Sequence, residues 1–469
     1  MKIKYIILSL VLTFTFSCQN PDEFLDVLPK GRVIPSTLKD YDDLLNNYAI
    51  LRGKGENTRY MDPDVFMTPN VFGELNELNT NGYGWKHDLF AENAIDYDYQ
   101  EFYQYIHMAN FILENIGDAE VGAYNESQRN IIRGEAHAQR AFEYFHVVNE
   151  YAPHYDPNNT DQPAIAMPLS VDLEALLGKS TTGDIYDQII KDLNRALELL
   201  GPNYQAINEY QNWRPGRASI LALLAEVHLY MGDFQEAVTY SNQALALYDF
   251  LYDYQTVVFR NSSNPWLGYS VNGNNDAWYY GTLNQEIIWN RYTIWGFRTP
   301  QLIHPDLEAL YDKVNDRRWG LMSTQTTYGG LDTSPYYCYV YPGERSVGLT
   351  TYRLMLTNAE AKARTGNGAG AIATLNELLE MRISNFMPYT HSDNASTLQL
   401  IKNERRKELI GSSLNLFDQK RYHIYGENVP NFTRIHHDTG EELTLVPGSE
   451  GYYVGISPGV LLYNPNLAD

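Results

Sequence analysis

Apolar residues recur at helical spacing in a series of separate blocks along this chain. Leu38, Tyr41, Leu44, Leu45 and Tyr48 fall on one face, directly after Ser36 or Thr37, either of which can cap a helix. Between 96 and 116, Phe102, Tyr105, Ile106, Ala109, Ile112, Leu113 and Ile116 make one stripe, and a further helix is expected from about Gln128 to Tyr151. The segment 184–200 carries Ile185, Ile189, Leu193, Ala196, Leu197 and Leu200. Asp184 is its expected cap, and Gly201-Pro202 its stop.

Two later blocks repeat one plan. Residues 218–247 read ASILALLAEVHLYMGDFQEAVTYSNQALAL, two helices joined at Gly232-Asp233. Ala225, Ala237 and Ala244 stand among Leu221, Leu224, Tyr230 and Tyr240, and such small residues let paired helices approach closely, as tetratricopeptide-type hairpins require. In 352–381, Ala359 and Ala371 keep the spacing of Ala225 and Ala237, with Gly366 at the turn. The helices at 96–116 and 128–151, and the one at 184–200 with a broken partner, read as degenerate members of the same set. The expected fold is therefore mainly α, with helical units over about 96–151, 184–247 and 352–382.

Between the blocks the period disappears. The segments 52–95, 250–345 and 422–469 are rich in Gly, Asn, Pro and aromatic residues. Aperiodic stretches this long in a compact protein usually carry function. The one strand candidate is 285–292, QEIIWNRY.

The first residues bear on compartment. Lys2 and Lys4 precede an apolar run, 5–16, that reaches about 18 Å as a helix, too short for a bilayer and suited to a signal-peptide core. The run ends at Ser17-Cys18, so 1–17 reads as a lipoprotein leader and Cys18 as the lipidated residue. Asp22 and Glu23 follow closely, whereas a membrane-hugging tether is more often basic. Cys338 is the only other cysteine, so the mature chain, 18–469, has no disulfide available and depends on a buried core. Against 35 Lys and Arg stand 58 Asp and Glu, a net charge of −23, which excludes a phosphate backbone as partner. Neutral sugars, peptides and cations remain. The 38 tyrosines and 7 tryptophans supply flat apolar faces with hydrogen-bonding tips suited to such ligands.

Catalytic patterns are sparse. Gly455-Ile456-Ser457-Pro458-Gly459 matches G-x-S-x-G, but Pro458 has no N–H for an oxyanion hole and no histidine follows Ser457. Asp156, Asn158 and Thr160 imitate the start of a calcium loop, with Asp161 where glycine belongs and Met167 where the bidentate glutamate belongs. His436-His437-Asp438 reads as a polar loop, and His137 and His146 as packing residues. Glu404, Arg405, Arg406 and Glu408 read as structural ion pairs on a charge-compensated helix. A binding protein, not an enzyme, is expected, with no cofactor beyond a weak calcium candidate near Asp156.

Taken in order, several segments resemble the SusD/RagB family of outer-membrane nutrient-binding lipoproteins. They are FLDVLPKG at 24–31, YQYIHMANFILENI at 103–116, RGEAHAQRAFEYFHVVNEYA at 133–152, IYDQIIKDLNRALELL at 185–200, ASILALLAEVHLYMGDFQEAV at 218–238, YRLMLTNAEAKARTG at 352–366 and ERRKELIGSSLNLFDQKRY at 404–422. The chain departs from the family pattern at His137, where a bulky apolar residue is usual. ERRKELIGSS also lacks the frequent Phe-Glu-Gly-x-Arg-Trp stretch. The resemblance implies four TPR-like hairpins packed against an irregular ligand-binding half. It also implies a lipid-anchored protein facing the cell exterior, which passes oligosaccharides to a SusC-like TonB-dependent transporter. The alternatives are peptide capture, as in RagB-like members, or a scaffold that binds only proteins. By the same resemblance Trp85, Tyr83, Trp266, Trp278, Tyr279 and Trp295 are expected to face ligand, with Asn81, Asp88 and Arg298 orienting it. Trp289 is assigned to the core.

Overall fold

A computed structural model describes residues 35–51, 55–274, 281–293, 300–340 and 345–468. The leader, Cys18, Trp278, Tyr279, Trp295 and Arg298 lie outside the described residues. Each predicted helical block is a helix. Helix α1, Leu38–Leu45, is capped by Thr37, whose side chain accepts from the Asp40 N–H. Helix α2 spans Tyr97–Asn115 and is capped by Asp96. Helix α3, Glu126–Tyr151, begins two residues before the expected Gln128, which instead closes a capping box with Asn125. The same correction applies to α4, Thr182–Leu200: Thr181 is the cap, and Asp184 supplies the returning carboxylate. A threonine reaching the third N–H outcompeted the aspartate that follows it.

Helices α5, Arg217–Met231, and α6, Phe234–Leu247, form the hairpin read from sequence, turning at Gly232 with φ 80°. Helices α7, Thr351–Arg364, and α8, Gly368–Glu380, form its counterpart. Ala225, Ala237, Ala244, Ala359 and Ala371 are all fully buried, as close helix approach requires. Each helix packs on the next, α2 on α3, α3 on α4, α5 on α6, and α6 on α7, which joins the hairpins into one helical body. Helices α9, Asn394–Glu408, and α10, Leu414–Ile424, close its end. Among the described residues no helix is long and apolar enough to cross a membrane.

The segments without helical period contain more strand than the one candidate suggested. Short strands β1, Val65–Phe66, β5, Leu302–Ile303, β6, Ser323–Thr324, and β7, Cys338–Tyr339, form an antiparallel sheet in the order β1-β5-β7-β6. Strands β2, Val257–Phe259, and β3, Tyr269–Val271, make a separate pair. The 285–292 candidate is realised as β4, Ile287–Trp289, which pairs with β8, Leu349–Thr350. Trp289 is fully buried, as assigned. Gly348 is required beside it, because a Cβ there would collide with the Trp289 carbonyl. The C-terminal segment is also more ordered than expected, with a hairpin of β9, Phe432–Ile435, and β10, Glu442–Leu445. Cys338 is buried in the four-stranded sheet, its Sγ 3.2 Å from the Thr324 carbonyl.

The charges on α9 are structural, but their main partners lie on other elements. Arg318 binds Asp316 at 2.7 Å, Glu404 at 2.7 Å and Glu408 at 2.9 Å, and Arg382 binds Glu408 at 2.7 Å and Glu286 at 2.8 Å. Arg405 turns to Asp418 on α10 at 2.6 Å. All these side chains are buried. His137 is likewise more than packing: its Nδ1 lies 2.7 Å from Asp192, which Arg140 also grips. His146 does pack, stacked on Phe142 at 4.1 Å.

Candidate functional site

The structure corrects the expectation for Trp85 and Tyr83. Both rings are buried beneath the C-terminal hairpin, and Arg434 from β9 lies over them at 4.1 and 4.5 Å. The Trp85 indole N–H donates to the Met61 carbonyl at 2.7 Å. Arg434 itself donates to the carbonyls of Tyr60 at 2.7 Å, Val65 at 2.8 Å and Tyr83 at 3.1 Å, and burial lowers its pKa to about 10. These rings are a lock between the loop at 55–65 and the hairpin, closed to any external ligand. Asn81 is committed too, donating to the Leu89 carbonyl at 3.0 Å and accepting from Lys86 at 2.8 Å. Asp88 is exposed.

Trp266 is half-buried and leans on the apolar cluster that contains Tyr83. Its N–H donates to the Thr326 carbonyl at 3.0 Å, and its ring meets Tyr328 edge-on at 5.9 Å. Trp266 and Tyr328 thus give one surface aromatic pair. Those of the named residues that are described line none of the clefts below.

A cleft of about 460 Å³ opens instead between the loop after α4, the end of β3 and the approach to β4. Asn208, Asn272, Asn274, Asn284 and Gln285 line it, with Glu209 and Tyr210, which is 80% exposed; the side-chain carbonyls of Asn208 and Asn284 accept from the backbone N–H of Gln211 at 3.1 Å and of Glu286 at 2.9 Å. The frame behind them is rigid. The buried Asn212 side-chain amide donates to the Gly281 carbonyl at 2.8 Å, while its backbone carbonyl accepts from the Asn290 backbone N–H at 2.7 Å. Arg214 binds buried Glu135 through two nitrogens and Asp42 at 2.7 Å, tying the loop to α3 and α1. Tyr252 accepts from the Gln285 backbone N–H at 3.2 Å. A carboxamide offers a donor and an acceptor side by side, the pattern that matches vicinal hydroxyls. Ile207, Asn208, Glu209, Tyr210 and Asn212 of this lining belong to 201–216, outside the aperiodic segments expected to face ligand. The signal was present in GPNYQAINEYQNW, an aperiodic run of carboxamides and aromatics.

A second, larger groove of about 760 Å³ runs beside α2, between the loop at 168–177 and the C-terminal helix Pro458–Tyr463. Tyr99 and Tyr103 stack at 4.3 Å on its floor. Ser457 lies on its wall as the cap of that C-terminal helix, accepting from the Val460 N–H. Behind the floor, Asn57 donates to Asp96, Glu150 and Tyr151 at 2.9–3.0 Å, and its backbone N–H reaches Asp98 at 3.0 Å. Burial pushes the Asp98 carboxyl well up, and burial with the Asp96 charge pushes Glu150 up to about 8. Neighbouring Lys420 donates to the carbonyls of Asn149 and Ala152, both at 2.8 Å, and burial lowers it to about 7.

The calcium candidate is an Asx turn: Asp156 accepts from the Asn158 N–H at 2.8 Å and its amide at 3.2 Å. Among the described residues no group of three or more His, Cys, Asp or Glu is arranged to hold a metal. The His437 Nε2–H donates to the Met67 carbonyl at 2.8 Å, and both histidines of the pair pack edge-on against Phe72.

The described residues thus form a stack of helical hairpins that carries loop-built clefts. Comparison with known proteins gives the family. A SusD-like family model described as starch-binding and associating with the outer membrane matches residues 23–229, and a SusD family model matches 350–448. The chain belongs to the SusD/RagB family, which is associated with the outer membrane, and a nutrient-binding role goes with that membership. A SusD-like carbohydrate binding protein from Bacteroides vulgatus ATCC 8482 shares the fold at 20% identity and TM-score 0.65, over 92% of this chain and 97% of that one. A SusD superfamily protein from Bacteroides thetaiotaomicron VPI-5482 does so at 18% identity and TM-score 0.67, over 92% and 99%. The curated SusD-like protein P2 of Formosa agariphila is 32% identical over 114 residues, 24% of this chain. That match spans 20% of the length of the relative.

Proposed function

We propose that this protein captures oligosaccharides at the outer surface of the outer membrane and passes them to a SusC-like TonB-dependent transporter. In this reading it is held there by lipid on Cys18 and does no chemistry on its ligand. The observation that carries the proposal is the carboxamide cleft: five Asn and Gln residues and one exposed tyrosine on a frame held by buried hydrogen bonds. One of its lining residues, Asn274, lies in sequence shortly before Trp278 and Tyr279. A relative of the same fold described as carbohydrate binding supports the ligand class. Ser457, the one serine in a hydrolase-like pattern, serves as a helix cap.

The test is a screen of the chain from Asn20 onward against a glycan array and a peptide pool, followed by calorimetry on the hits. Tyr210→Ala should weaken a glycan hit about tenfold, about 1.4 kcal/mol, with unchanged melting temperature because the ring is exposed. Hits among peptides alone, or a glycan hit indifferent to Tyr210, would remove the proposal. Cys18→Ala should abolish fatty-acid incorporation in cells.

A further inference from the structure

The groove beside α2 collects apolar surface in an acidic protein. Ile95, Leu173, Leu176, Leu177, Leu462 and Tyr463 line it and are solvent-exposed, Leu173 at 82% and Leu462 at 79%. The loop that carries Leu176 and Leu177 is nevertheless held. Asn464 and Asn466 donate to the carbonyls of Leu177 and Leu176 at 2.9 and 2.7 Å, and Asn110 donates to the Pro168 carbonyl at 2.8 Å. Hydrogen bonds that fix a loop while leaving its leucines in water are a costly arrangement unless something covers them. The exposed charged side chains on the lining are the carboxylates Glu92 and Asp172, Asp96 being buried at its floor, and the described lining holds no lysine or arginine.

We propose that this groove seats the apolar face of a positively charged amphipathic segment of a partner protein. Burial of the leucines supplies the affinity, and the rim of carboxylates selects the sign of charge on the partner. A second copy of this chain would set one acidic rim against another, each on a molecule of net charge −23. An anionic lipid surface would be repelled in the same way. The groove shares no lining residue with the carboxamide cleft, so the inference does not rest on the oligosaccharide reading.

The experiment uses the full chain from Asn20 and three synthetic probes: an amphipathic Leu/Lys helix, its scrambled sequence, and the Leu/Glu counterpart. Anisotropy should show binding of the amphipathic Leu/Lys helix, at least tenfold weaker for the other two. Leu173→Asp should weaken it at least tenfold and Asp172→Lys several-fold, with melting temperatures unchanged because both side chains are exposed. Equal binding of the scrambled probe, or indifference to Leu173→Asp, would mean simple charge attraction and overturn the proposal. A dimer, or flotation with phosphatidylglycerol vesicles, that disappears with Leu173→Asp would overturn it in favour of a second copy or a membrane. Glycan binding by Leu173→Asp stays unchanged in every case, which separates this groove from the oligosaccharide cleft.

Discussion

At the level of single residues, Trp85 shows what position alone can and cannot convey. A tryptophan in an aperiodic Gly-rich run reads as a ligand platform. Here φ of 53° at Trp85 turns the indole inward, and the guanidinium that covers it comes from Arg434, far along the chain. Nothing local to NTNGYGW announces that contact. Trp85→Ala should therefore cost about 3–5 kcal/mol in urea unfolding, where a ligand-facing residue would cost little. A second residue-scale expectation concerns Glu150. Its folded pKa, about 8, lies above its ordinary value, so its protonated form stabilises the fold fully below pH ~4.5, and that contribution is lost as pH rises through 8. The groups facing it are Asp96, Asp98, Asn57, Tyr151 and Lys420. Lys420, with its pKa lowered, works the other way, its penalty fading above pH 7. Glu150→Gln keeps the shape and removes the titration. Its stability relative to the parent should be near zero at pH 5 and rise by on the order of 2 kcal/mol at pH 8; a flat difference across that range would refute the assignment.

At the scale of elements, what could be read was what repeats. The spacing shared by Ala225–Ala237 and Ala359–Ala371 located both hairpins, because helix–helix contact depends on small residues near in sequence and on a period that twenty residues suffice to show. The strands could not be read in the same way. Val65–Phe66, Leu302–Ile303 and Cys338–Tyr339 are two residues each, too short for alternation to register, and their partners are remote in sequence, Val65 opposite Ile303 and Leu302 opposite Cys338. The carboxamide cleft was half legible, since 250–345 stood out by composition while 201–216 was masked by its place between two helices. The hairpin reading makes its own prediction. Ala237 is buried against Leu229 and Ala361, where α5, α6 and α7 meet. Ala237→Leu should push the helices apart and cost about 1–3 kcal/mol by thermal or urea unfolding. The exposed neighbour Gln235→Leu should be neutral within about 0.5 kcal/mol.

At the scale of the whole molecule, two halves of different character are held by charge as well as by apolar packing. Asp316 and Arg318 belong to the strand-and-loop half, Glu404 and Glu408 to α9, Arg382 follows α8, and Glu286 precedes β4. All six are within 3% exposure except Glu408 at 6%, so water cannot substitute for a lost partner. Burial raises Glu286, while the adjoining guanidinium of Arg382 opposes that rise, so the pairing matters more than either charge alone. Arg318→Met would leave three carboxylates competing for Arg382 and Lys407, at a cost of about 3–5 kcal/mol. Since the pairs are buried, that cost should persist in 0.5 M salt, whereas exposed pairs such as Lys39 with Asp43 would lose what little they contribute. Hydrogen exchange locates the damage: protection should fall first in 316–324, where the loop half meets α9, with α2 and α3 unaffected. Uniform loss of protection would instead mean that the two halves fold as one cooperative unit and that the network merely adds to a shared core. Restoring neutrality with Glu404→Gln in the Arg318→Met background should recover part of the loss, which a cavity at Arg318 alone would not allow.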